Sequence, residues 1–470
     1  MNRKKKMMSK EGVFQQTTEQ VKSLYKNRSV TICAVGLGRI GLPTAAMFAS
    51  SGAQVIGVDI NPEVVVTINE GRSRFLDEPG LDKMIEESVK SGKLRATTDV
   101  ESAIPAADFV IICVPTPVDP AKTPDYSAVT GACRTVGKLI KPGCVVIIES
   151  TVGPGTVENL IAPILEEESG MKAGSDFGLA SCPERSDPGN IIGNMKTVPR
   201  VVGGINPHCS QIVADLYESL LNVKVFRASD PKTANAIKLT ENLFRDVNIA
   251  LANEFALLYE KLGIDTVEVI TGCASKYNFM PHYPGAGVGG PCLPSNSYYL
   301  ISEGVKAGNI PYLVRMAREI NDRMPEHVIE LTSEALNEVG KTIRGSKIAI
   351  LGVAYKPEIK DLQLTPMERV CSGLTKLGAM LNIYDPMFAG DTVFGLGVRR
   401  SLTQAINGAD CIVIGTAHAE FKRLDLKLLE QLTDSPAALV DARNIVNPHE
   451  ATKAGFAFRG VGRRNLNPEQ

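Results

Sequence analysis

Residues 30–41 read Val-Thr-Ile-Cys-Ala-Val-Gly-Leu-Gly-Arg-Ile-Gly, and this stretch decides the fold of the first half of the chain. Its apolar beginning predicts a short buried strand. Gly36, Gly38 and Gly41 then follow in the spacing G-x-G-x-x-G. In that spacing the first glycine makes a tight turn, the second lets the backbone approach a pyrophosphate, and the third lets a helix pack on the strand. The stretch therefore predicts a dinucleotide site at a helix N-terminus.

The residues after Gly41 complete a strand–helix–strand unit. An alanine-rich helix is predicted to about Ser51, and a second strand from Gln54 to Val58 ends at Asp59. A carboxylate at that place accepts hydrogen bonds from the ribose hydroxyls and repels a 2′-phosphate, so the sequence favours NAD over NADP. This full setting, rather than the bare glycine spacing, carries the prediction.

Three later apolar runs, at 109–114, 145–149 and 178–182, predict further strands with helices between them. The alternation indicates an α/β fold with a doubly wound parallel sheet. Each run ends in a polar or proline-rich turn that capping or turn chemistry alone would explain. Together the turns predict one crevice, because ligands bind outside the carboxyl ends of parallel strands. The residues that we assign to the cofactor are Gly36, Gly38, Arg39, Ile40, Gly41, Asp59, Pro115, Thr116 and Thr151.

Composition limits the class of protein. The 470-residue chain carries 51 basic and 52 acidic residues, a formal net charge of −1, and 44% hydrophobic residues. This balance predicts a globular protein of two or three domains and gives no reason to expect nucleic acid as a partner. No apolar run is long enough to span a bilayer, so no membrane association is expected. The basic start lacks the apolar region of a secretory signal, and residues 1–28 are predicted to form a flexible tail.

Ten cysteines are scattered along the chain without a C-x-x-C pair. Several lie inside apolar runs, which is typical of structural thiols in a reducing compartment. The spacing disfavours zinc, and no metal is expected. The predicted location is the cytoplasm.

The middle of the chain is predicted to be helical. A long helix from about Lys232 to Gly263 carries Lys238, Asn242 and Arg245 at spacings of four and three, which places them on one helical face. Such a row is either a solvated stripe or a set of donors facing a ligand. A second helix is predicted from about 311 to 339. We interpret residues 229–335 as an all-helical domain that forms a dimer interface.

Between those helices lies Pro-Gly-Ala-Gly-Val-Gly-Gly-Pro-Cys-Leu-Pro-Ser-Asn-Ser-Tyr-Tyr-Leu, residues 284–300, which is predicted to be a loop. Glycines permit close backbone approaches and prolines fix φ, so this loop can hold the thiol of Cys292 against a ligand. A surface turn with an incidental cysteine is the alternative for the loop taken alone.

The last third predicts a second α/β sheet. Apolar runs at 347–351, 381–384, 411–415 and 438–440 read as strands, but none is followed by the full glycine fingerprint. This sheet either binds a different nucleotide or only packs. The predicted organisation is a tail (1–28), an NAD-binding Rossmann-like domain (29–228), a central helical domain (229–335) and a C-terminal α/β domain (336–470).

From about residue 29 to 464 the chain resembles the UDP-glucose/UDP-mannuronic-acid dehydrogenase family. The shared motifs are Gly36-x-Gly38-x-x-Gly41, Val114-Pro-Thr-Pro117, Glu149-Ser-Thr-Val152, Pro183-Glu184-Arg185, Lys238-x-x-x-Asn242, Asn253-Glu254, Gly289-Gly-x-Cys292-x-Pro294, Tyr355-Lys356-Pro357 and Tyr384-Asp-Pro386. The resemblance implies two Rossmann-like doubly wound parallel-sheet domains joined by a central all-helical domain. It also implies oxidation of C6 of a UDP-sugar to a carboxylate with two NAD⁺, a homodimer or larger homo-oligomer, and a role in polysaccharide biosynthesis.

The same resemblance assigns the catalytic roles. Cys292 would trap the intermediate aldehyde as a thiohemiacetal, whose oxidation gives a thioester that water hydrolyses. Lys238 and Asn242 would stabilise oxyanions, Glu184 would assist proton transfer, and Thr151 would position water. The residues implied to bind the UDP-sugar are Glu184, Arg185, Lys238, Asn242, Arg245, Tyr283, Gly285, Gly289, Lys356 and Arg443.

Within the family, three features resemble the branch that oxidises acetamido sugars. They are Arg185 followed by Pro188-Gly189, the stretch 245–254, and Val288 in place of a more usual Phe. UDP-N-acetylmannosamine and UDP-N-acetylglucosamine stay equal candidates. The alternatives are a UDP-glucose 6-dehydrogenase, a nucleotide-sugar-binding homologue without turnover, and a two-electron β-hydroxyacid dehydrogenase, which leaves Cys292 and the last domain unexplained.

The chain departs from the family pattern at three positions. Asn296 stands four residues after the cysteine, where the family commonly carries Asp, and Gln363 and Ala442 replace the usual Arg and Gly. An asparagine cannot act as a base or balance the charge of Lys238. The retained Cys292, Lys238, Asn242, Glu184 and Thr151 favour an active enzyme.

Overall fold

The computed structural model describes residues 12–464. They fall into two compact units, one of residues 12–241 with 298–306 and the other of residues 242–297 with 307–464. Each unit is built on a parallel β-sheet, as the α/β alternation predicts. Among the described residues no helix is long and apolar enough to cross a membrane.

The first unit contains an eight-stranded sheet of order β3-β2-β1-β4-β5-β6-β7-β8. Its strands are β1 (Thr31–Val35), β2 (Gln54–Val58), β3 (Leu94–Thr97), β4 (Phe109–Ile112), β5 (Val145–Ile148), β6 (Gly178–Ser181), β7 (Arg200–Gly204) and β8 (Val225–Arg227). The first six strands are parallel and have the order of a dinucleotide-binding fold. Strand β7 runs antiparallel to β6, which the sequence did not predict.

Helices and turns connect these strands. The helices are α1 (Thr18–Lys26), α2 (Gly41–Ser50), α3 (Pro62–Asn69), α4 (Leu81–Lys90), α5 (Val100–Ala106), α6 (Ser127–Leu139), α7 (Ala162–Ser169), α8 (Ile191–Thr197) and α9 (Pro207–Leu221). Alternate residues of β1 enter different hydrophobic clusters, with Ile32 and Ala34 in one and Cys33 in the other. The strand is therefore covered on both faces, which is why it reads as an unbroken apolar run.

The segment before β1 is folded, so the prediction of a flexible tail is wrong for residues 12–28. A 3₁₀ turn at Val13–Gln15 and helix α1 bury Phe14, Val21 and Tyr25. The Phe14 N–H donates to the Gly143 carbonyl at 2.8 Å, and the Tyr25 hydroxyl donates to the Ile212 carbonyl at 2.9 Å. Residues 1–11 of the predicted tail lie outside the described residues.

Four helices follow in the middle of the chain: α10 (Pro231–Leu262), α11 (Thr266–Cys273), α12 (Leu293–Lys306) and α13 (Tyr312–Glu338). The two long helices agree with the prediction, and Gly263 after α10 has a φ of +68°. Helix α12 begins directly after Cys292, so the predicted loop is wrong from Leu293 onward. The sequence Leu-Pro-Ser-Asn-Ser resembles a turn and does not indicate the start of a helix, although proline is common in the first turn of a helix.

The second unit contains a five-stranded parallel sheet of order β10-β9-β13-β14-β15. Its strands are β9 (Lys347–Leu351), β10 (Met380–Tyr384), β13 (Cys411–Ile414), β14 (Ala438–Asp441) and β15 (Ala457–Gly460), and β11 (Thr392–Val393) with β12 (Leu396–Gly397) forms a small hairpin. Its helices are α14 (Pro366–Lys376), α15 (Leu402–Ile406), α16 (Leu426–Leu432) and α17 (Pro448–Lys453). The strand order reverses between β9 and β13, where a doubly wound sheet binds its ligand.

Candidate active site

The turn after β1 has the geometry that a dinucleotide pyrophosphate requires. Gly36 has a φ of +92°, and a Cβ on it would lie 2.5 Å from the Cys113 carbonyl oxygen. A Cβ on Gly41 would lie 1.9 Å from the Gly36 oxygen, whereas a Cβ on Gly38 would face open space. The Asp59 carboxylate accepts from the Leu37 N–H at 2.9 Å and stays partly exposed. These residues fit an NAD whose phosphates approach Gly38 and whose ribose approaches Asp59.

The other side chain assigned to this turn has local partners. The Arg39 guanidinium lies 3.0 Å from the Asp77 carboxylate and 3.4 Å from that of Glu78. Ile40 is half-buried at the start of α2. Their backbone, rather than the Arg39 charge, is therefore the part that can face the cofactor.

The turns after β4 and β5 are bonded to each other, as the crevice prediction requires. The Thr116 hydroxyl donates to the Thr151 carbonyl at 2.7 Å. The Val114 N–H donates to the Ser150 hydroxyl at 2.9 Å, and that hydroxyl donates to the Val114 carbonyl at 2.8 Å. Pro115 is exposed beside them. This edge of the sheet thus brings Pro115, Thr116 and Thr151 together.

A buried ion triad lies at the same sheet edge, and the sequence did not predict it. The Arg200 guanidinium donates through one terminal nitrogen to Glu149 and through the other to Glu184. All three side chains are buried. The Tyr217 hydroxyl also donates to Glu149, and the Cys113 thiol donates to it at 2.9 Å. The signal for Arg200 was a lone guanidinium at the head of the apolar run Arg-Val-Val-Gly-Gly.

The Glu184 carboxylate is fully occupied. One oxygen accepts from the Arg185 N–H at 2.7 Å and from the Ser186 N–H and hydroxyl at 2.7 and 2.5 Å, and the other accepts from Arg200. Burial favours the neutral acid, but Arg200 and Ser186 outweigh it and lower the pKa of Glu184 to about 2. These surroundings therefore favour the ionised form of Glu184 at neutral pH.

Helix α10 faces this carboxylate with a buried ammonium. Lys238 is 6% exposed, and its charge contributes to the lowered pKa of Glu184. One helical turn earlier, Asn235 accepts from the Ser181 hydroxyl at 2.9 Å. Arg185 pairs with Glu241 on the same helix and donates to the Pro199 carbonyl. The predicted residues Glu184, Arg185 and Lys238 thus belong to one cluster of the first unit.

In the second unit, Cys292 is exposed at the start of α12. The Asn296 N–H donates to the Cys292 carbonyl at 2.9 Å, which begins the helix. Asn242 donates from its side-chain amide to the Asn296 amide oxygen at 2.5 Å. The two amides form a neutral pair where the family commonly carries an ion.

Gly289 and Gly290 precede Cys292 at positions where neighbouring atoms leave no room for a side chain. A Cβ on Gly289 would lie 2.8 Å from the Leu364 carbonyl, and a Cβ on Gly290 would lie 2.8 Å from the Tyr355 ring. The Gly290 N–H donates to the Gln363 carbonyl at 2.9 Å. Gln363, which replaces the family's usual Arg, therefore contributes its backbone, and its side chain is exposed.

Two predicted cations lie at the carboxyl end of the second sheet. Lys356 is half-buried in the loop after β9, and Arg443 follows β14 with its Nε unpartnered. A Cβ on Gly285 would lie 3.2 Å from an Arg443 terminal nitrogen, so Gly285 and Arg443 are neighbours. Arg245 and Tyr283 are exposed. A basic group with an unsatisfied donor suits an anionic ligand such as a diphosphate.

Comparisons with known proteins also assign NAD binding to the first part of the chain and UDP binding to the last part. The chain matches the NAD binding domain of the UDP-glucose/GDP-mannose dehydrogenase family over residues 30–221, its central domain over 232–323 and its UDP binding domain over 349–448. A UDP-N-acetyl-D-mannosamine dehydrogenase of Pyrococcus horikoshii is 39% identical over 435 residues, which is 93% of this chain and all of that protein.

Two further similarities extend the comparison. A UDP-N-acetyl-D-glucosamine 6-dehydrogenase of Pseudomonas aeruginosa is 31% identical and covers 89% of this chain and 98% of its own length. The solved structure of UDP-D-ManNAc dehydrogenase from Pyrococcus horikoshii superposes with a TM-score of 0.86 at 38% identity, over 93% of this chain and all of that one.

Proposed function

We propose that this chain, which belongs to the UDP-glucose/GDP-mannose dehydrogenase family, oxidises C6 of a UDP-N-acetylhexosamine to a carboxylate. The membership makes it an oxidoreductase that uses NAD. Support for the acetamido sugar comes from the relatives, which are named for UDP-N-acetylmannosamine and UDP-N-acetylglucosamine. The observation that carries the four-electron chemistry is the exposed thiol of Cys292 at the N-terminus of α12.

The residues after β1 would hold the cofactor, with Gly36, Gly38 and Gly41 at the pyrophosphate and Asp59 at a ribose. When bound there, NAD⁺ supplies the hydride acceptor for both oxidations. Pro115, Thr116 and Thr151 line the neighbouring turns. We assign Thr151 to ordering the water that is used at the end of the reaction.

The first oxidation turns the C6 alcohol into an aldehyde. We assign the oxygen on C6 to the ammonium of Lys238 and to the remaining amide hydrogen of Asn242, which together stabilise the negative charge that develops on it. Glu184 holds its charge and fixes the Pro183–Ser186 turn, so we assign it to electrostatic positioning. An ionised carboxylate can accept a proton, so the assistance to proton transfer that the family resemblance implied stays part of the proposal.

The second oxidation uses Cys292. Its sulfur adds to the aldehyde carbon, a C–S bond forms, and the former carbonyl oxygen takes up a proton to give a thiohemiacetal. Oxidation of that carbon leaves a thioester, and water then displaces the sulfur. In sum, one alcohol, two NAD⁺ and one water give one carboxylate, two NADH and three protons. The covalent bond keeps the aldehyde from escaping between the two steps.

The nucleotide part of the substrate is assigned to the second sheet. Lys356 and Arg443 supply positive charge for the diphosphate, and Gly285 leaves room beside Arg443. We assign Arg185 and Arg245 to the sugar and Tyr283 to the edge of the site. Arg185 is already paired with Glu241, so it would bind the acetamido group only through donors that this pair leaves free.

Oligomerisation and location stay proposals. Helix α10 exposes Phe244, Leu251, Leu258 and Leu262, and the segment after α11 exposes Tyr277 and Met280. A surface of this kind suits a homodimer interface. Light scattering of the purified chain tests it, and Leu258→Asp should shift the mass toward the monomer. Ten scattered cysteines without a C-x-x-C pair in an NAD-dependent enzyme fit the cytoplasm.

The choice of sugar is tested with purified protein, NAD⁺ and a panel of UDP-N-acetylmannosamine, UDP-N-acetylglucosamine and UDP-glucose. Uronic acid should form from an acetamido sugar at least ~100-fold faster than from UDP-glucose, because polar groups built for the acetamide are left unpaired by a hydroxyl. A preference for UDP-glucose would support the glucose enzyme. Calorimetric binding of a UDP-sugar without any acid would support the binding homologue.

The role of the thiol is tested with Cys292→Ser and a matched control, Cys273→Ser, which removes another exposed cysteine from helix α11. Formation of acid should fall by about 1,000-fold or more in the first variant, since a covalent catalyst acting as a unit is lost. The control should keep its rate within about twofold. Undiminished acid formation by Cys292→Ser would rule out the thioester.

A further inference from the structure

Asp246 lies outside the residues assigned to chemistry, yet a buried network runs from it to both ends of the Cys292 segment, residues 285–297. The side chains of Asp246, Asn253, Ser297, Arg318 and Asn321 are each at most 2% exposed. All belong to the second unit. A buried network of hydrogen bonds of this kind is costly to rearrange, so it fixes the segments that it contacts.

At the C-terminal end of the segment, the Ser297 hydroxyl donates to one Asp246 oxygen at 2.9 Å. At the N-terminal end, the Gly285 N–H donates to the Asn253 amide oxygen at 2.9 Å. Asn253 donates in turn to Asn321 at 2.9 Å, and Asn321 donates to the other Asp246 oxygen at 2.9 Å. One carboxylate therefore holds both ends of the segment.

The middle of the segment meets the same network. Gly287 has a φ of +117°, and a Cβ there would lie 2.8 Å from the Asn321 carbonyl oxygen. Arg318 donates to Asp246 at 2.7 Å and supplies the opposite charge. An isolated carboxylate would be very unfavourable in this environment, so the ion pair is what permits Asp246 to be there.

Asp246 is also one helical turn from Asn242 on α10, so the two side chains share a face. Asn242 donates to Asn296, and Asp246 accepts from the next residue, Ser297. Two adjacent bonds thus set the register of the first turn of α12 against α10. That turn begins at Cys292.

We propose that Asp246 is a positioning residue that fixes the sulfur of Cys292 relative to the Asn242 amide. This inference rests on the proposed function for its consequence, because a thiol held within reach of an aldehyde gains rate from orientation alone. The anchoring itself is a property of the fold and is measurable without turnover.

The test compares Asp246→Asn and Ser297→Ala with a matched control, Asp322→Asn. Asp322 also pairs with Arg318, and its side chain is 33% exposed. In Asp246→Asn, kcat should fall about 30-fold while KM changes less than threefold, since misplacement by a fraction of an ångström affects the reacting atoms more than binding. Ser297→Ala, which removes one bond, should lose about fivefold in kcat. The control should stay within about twofold.

A second readout separates this inference from the proposed function. The rate of iodoacetamide alkylation at Cys292, followed by peptide mass spectrometry, should change by at least about threefold in Asp246→Asn and Ser297→Ala but not in the control. That holds even if the protein turns over no sugar. Unchanged alkylation together with unchanged kcat in either folded variant overturns the inference. If Asp246→Asn does not fold, Ser297→Ala decides alone.

Discussion

In both sheets a glycine with positive φ follows the first strand, Gly36 at +92° and Gly352 at +86°. A Cβ on either would collide across the point where the strand order reverses, with the Cys113 carbonyl or with Thr416, each at 2.5 Å. An aspartate at the end of the neighbouring strand then binds the backbone N–H groups after the glycine. Asp59 accepts from Leu37, and Asp385 accepts from Val353 and Ala354.

The two acids differ in what surrounds them. Asp59 stays partly exposed, and its other hydrogen bond is to the Asn61 N–H. Asp385 is fully buried, and the His418 ring lies 3.2 Å away, where it covers the carboxylate. His418 also accepts from the Glu358 N–H and so holds the loop that carries Lys356. The same arrangement therefore leaves the acid accessible to a ligand in the first sheet and buries it within the fold in the second.

The largest expected effect comes from removing the buried acid. Asp385→Ala should lower the free energy of unfolding by about 3–5 kcal/mol, because it leaves the backbone N–H groups of Val353, Ala354 and Met387 and a buried imidazole without their partner. Asp59→Ala should cost about 1 kcal/mol. Urea denaturation monitored by circular dichroism measures both. Equal losses of unfolding free energy would mean that Asp59 and Asp385 contribute equally to the stability of the fold.

Replacing each turn glycine with alanine should distinguish the binding site for NAD from that for UDP. Gly36→Ala should weaken NAD binding by ~10- to 100-fold and leave UDP binding unchanged, because the strain of about 1–3 kcal/mol falls on the pyrophosphate turn. Gly352→Ala should weaken UDP binding by ~10- to 100-fold and leave NAD binding unchanged. Isothermal titration with NAD⁺ and with UDP gives the four affinities. If either variant weakened both ligands alike, the assignment of one nucleotide to each sheet would fail.

The exposed acid should set the choice of dinucleotide. Asp59→Ser removes the acceptor for the ribose hydroxyls and the repulsion of a 2′-phosphate, so NAD affinity should fall about tenfold and NADP affinity should rise. Fluorescence titration with both reduced cofactors checks the ratio. An unchanged ratio would argue that Asp59 only shapes the turn.

The smallest effect is expected outside both crevices. Burial disfavours the charged form of His327. Its interactions with Glu260, and to a smaller extent with Glu330, outweigh burial and raise the pKa of His327 above the ordinary value near 6.5. The stabilisation is fully present below the ordinary value and is lost as pH rises through the raised one. His327→Gln should therefore cost about 0.5–1 kcal/mol at pH 6 and almost nothing at pH 9. Melting temperatures at the two pH values test this, and a loss that does not change with pH would contradict it.

Local signals predicted much of the fold. Strand β2 and strand β9 have the predicted bounds, because their apolar runs are closed by glycine or polar residues. The cofactor turn followed from Gly36, Gly38 and Gly41. The prediction of a flexible tail was wrong for residues 12–28 because it extended the basic character of residues 3–6 to the whole segment, although Val21 and Tyr25 lie four apart on one buried face.

The sequence indicated the residues that are proposed for the chemistry, but it did not indicate the buried charges that hold them in place. Cys292, Lys238 and Asn242 stand in motifs that are visible in the sequence. Arg200 and Asp246 are single charges whose partners are distant in sequence, 51 residues away for Glu149 and 72 for Arg318. No periodicity marks such pairs, since only the tertiary fold brings them together.

The central claim is a four-electron oxidation through Cys292, and counting NADH tests it most directly. A limiting amount of the preferred UDP-N-acetylhexosamine is converted to completion with excess NAD⁺, and the NADH formed is compared with the sugar consumed. The account predicts two NADH per sugar and a uronic acid as product. One NADH per sugar, with an aldehyde released to solution, would contradict it.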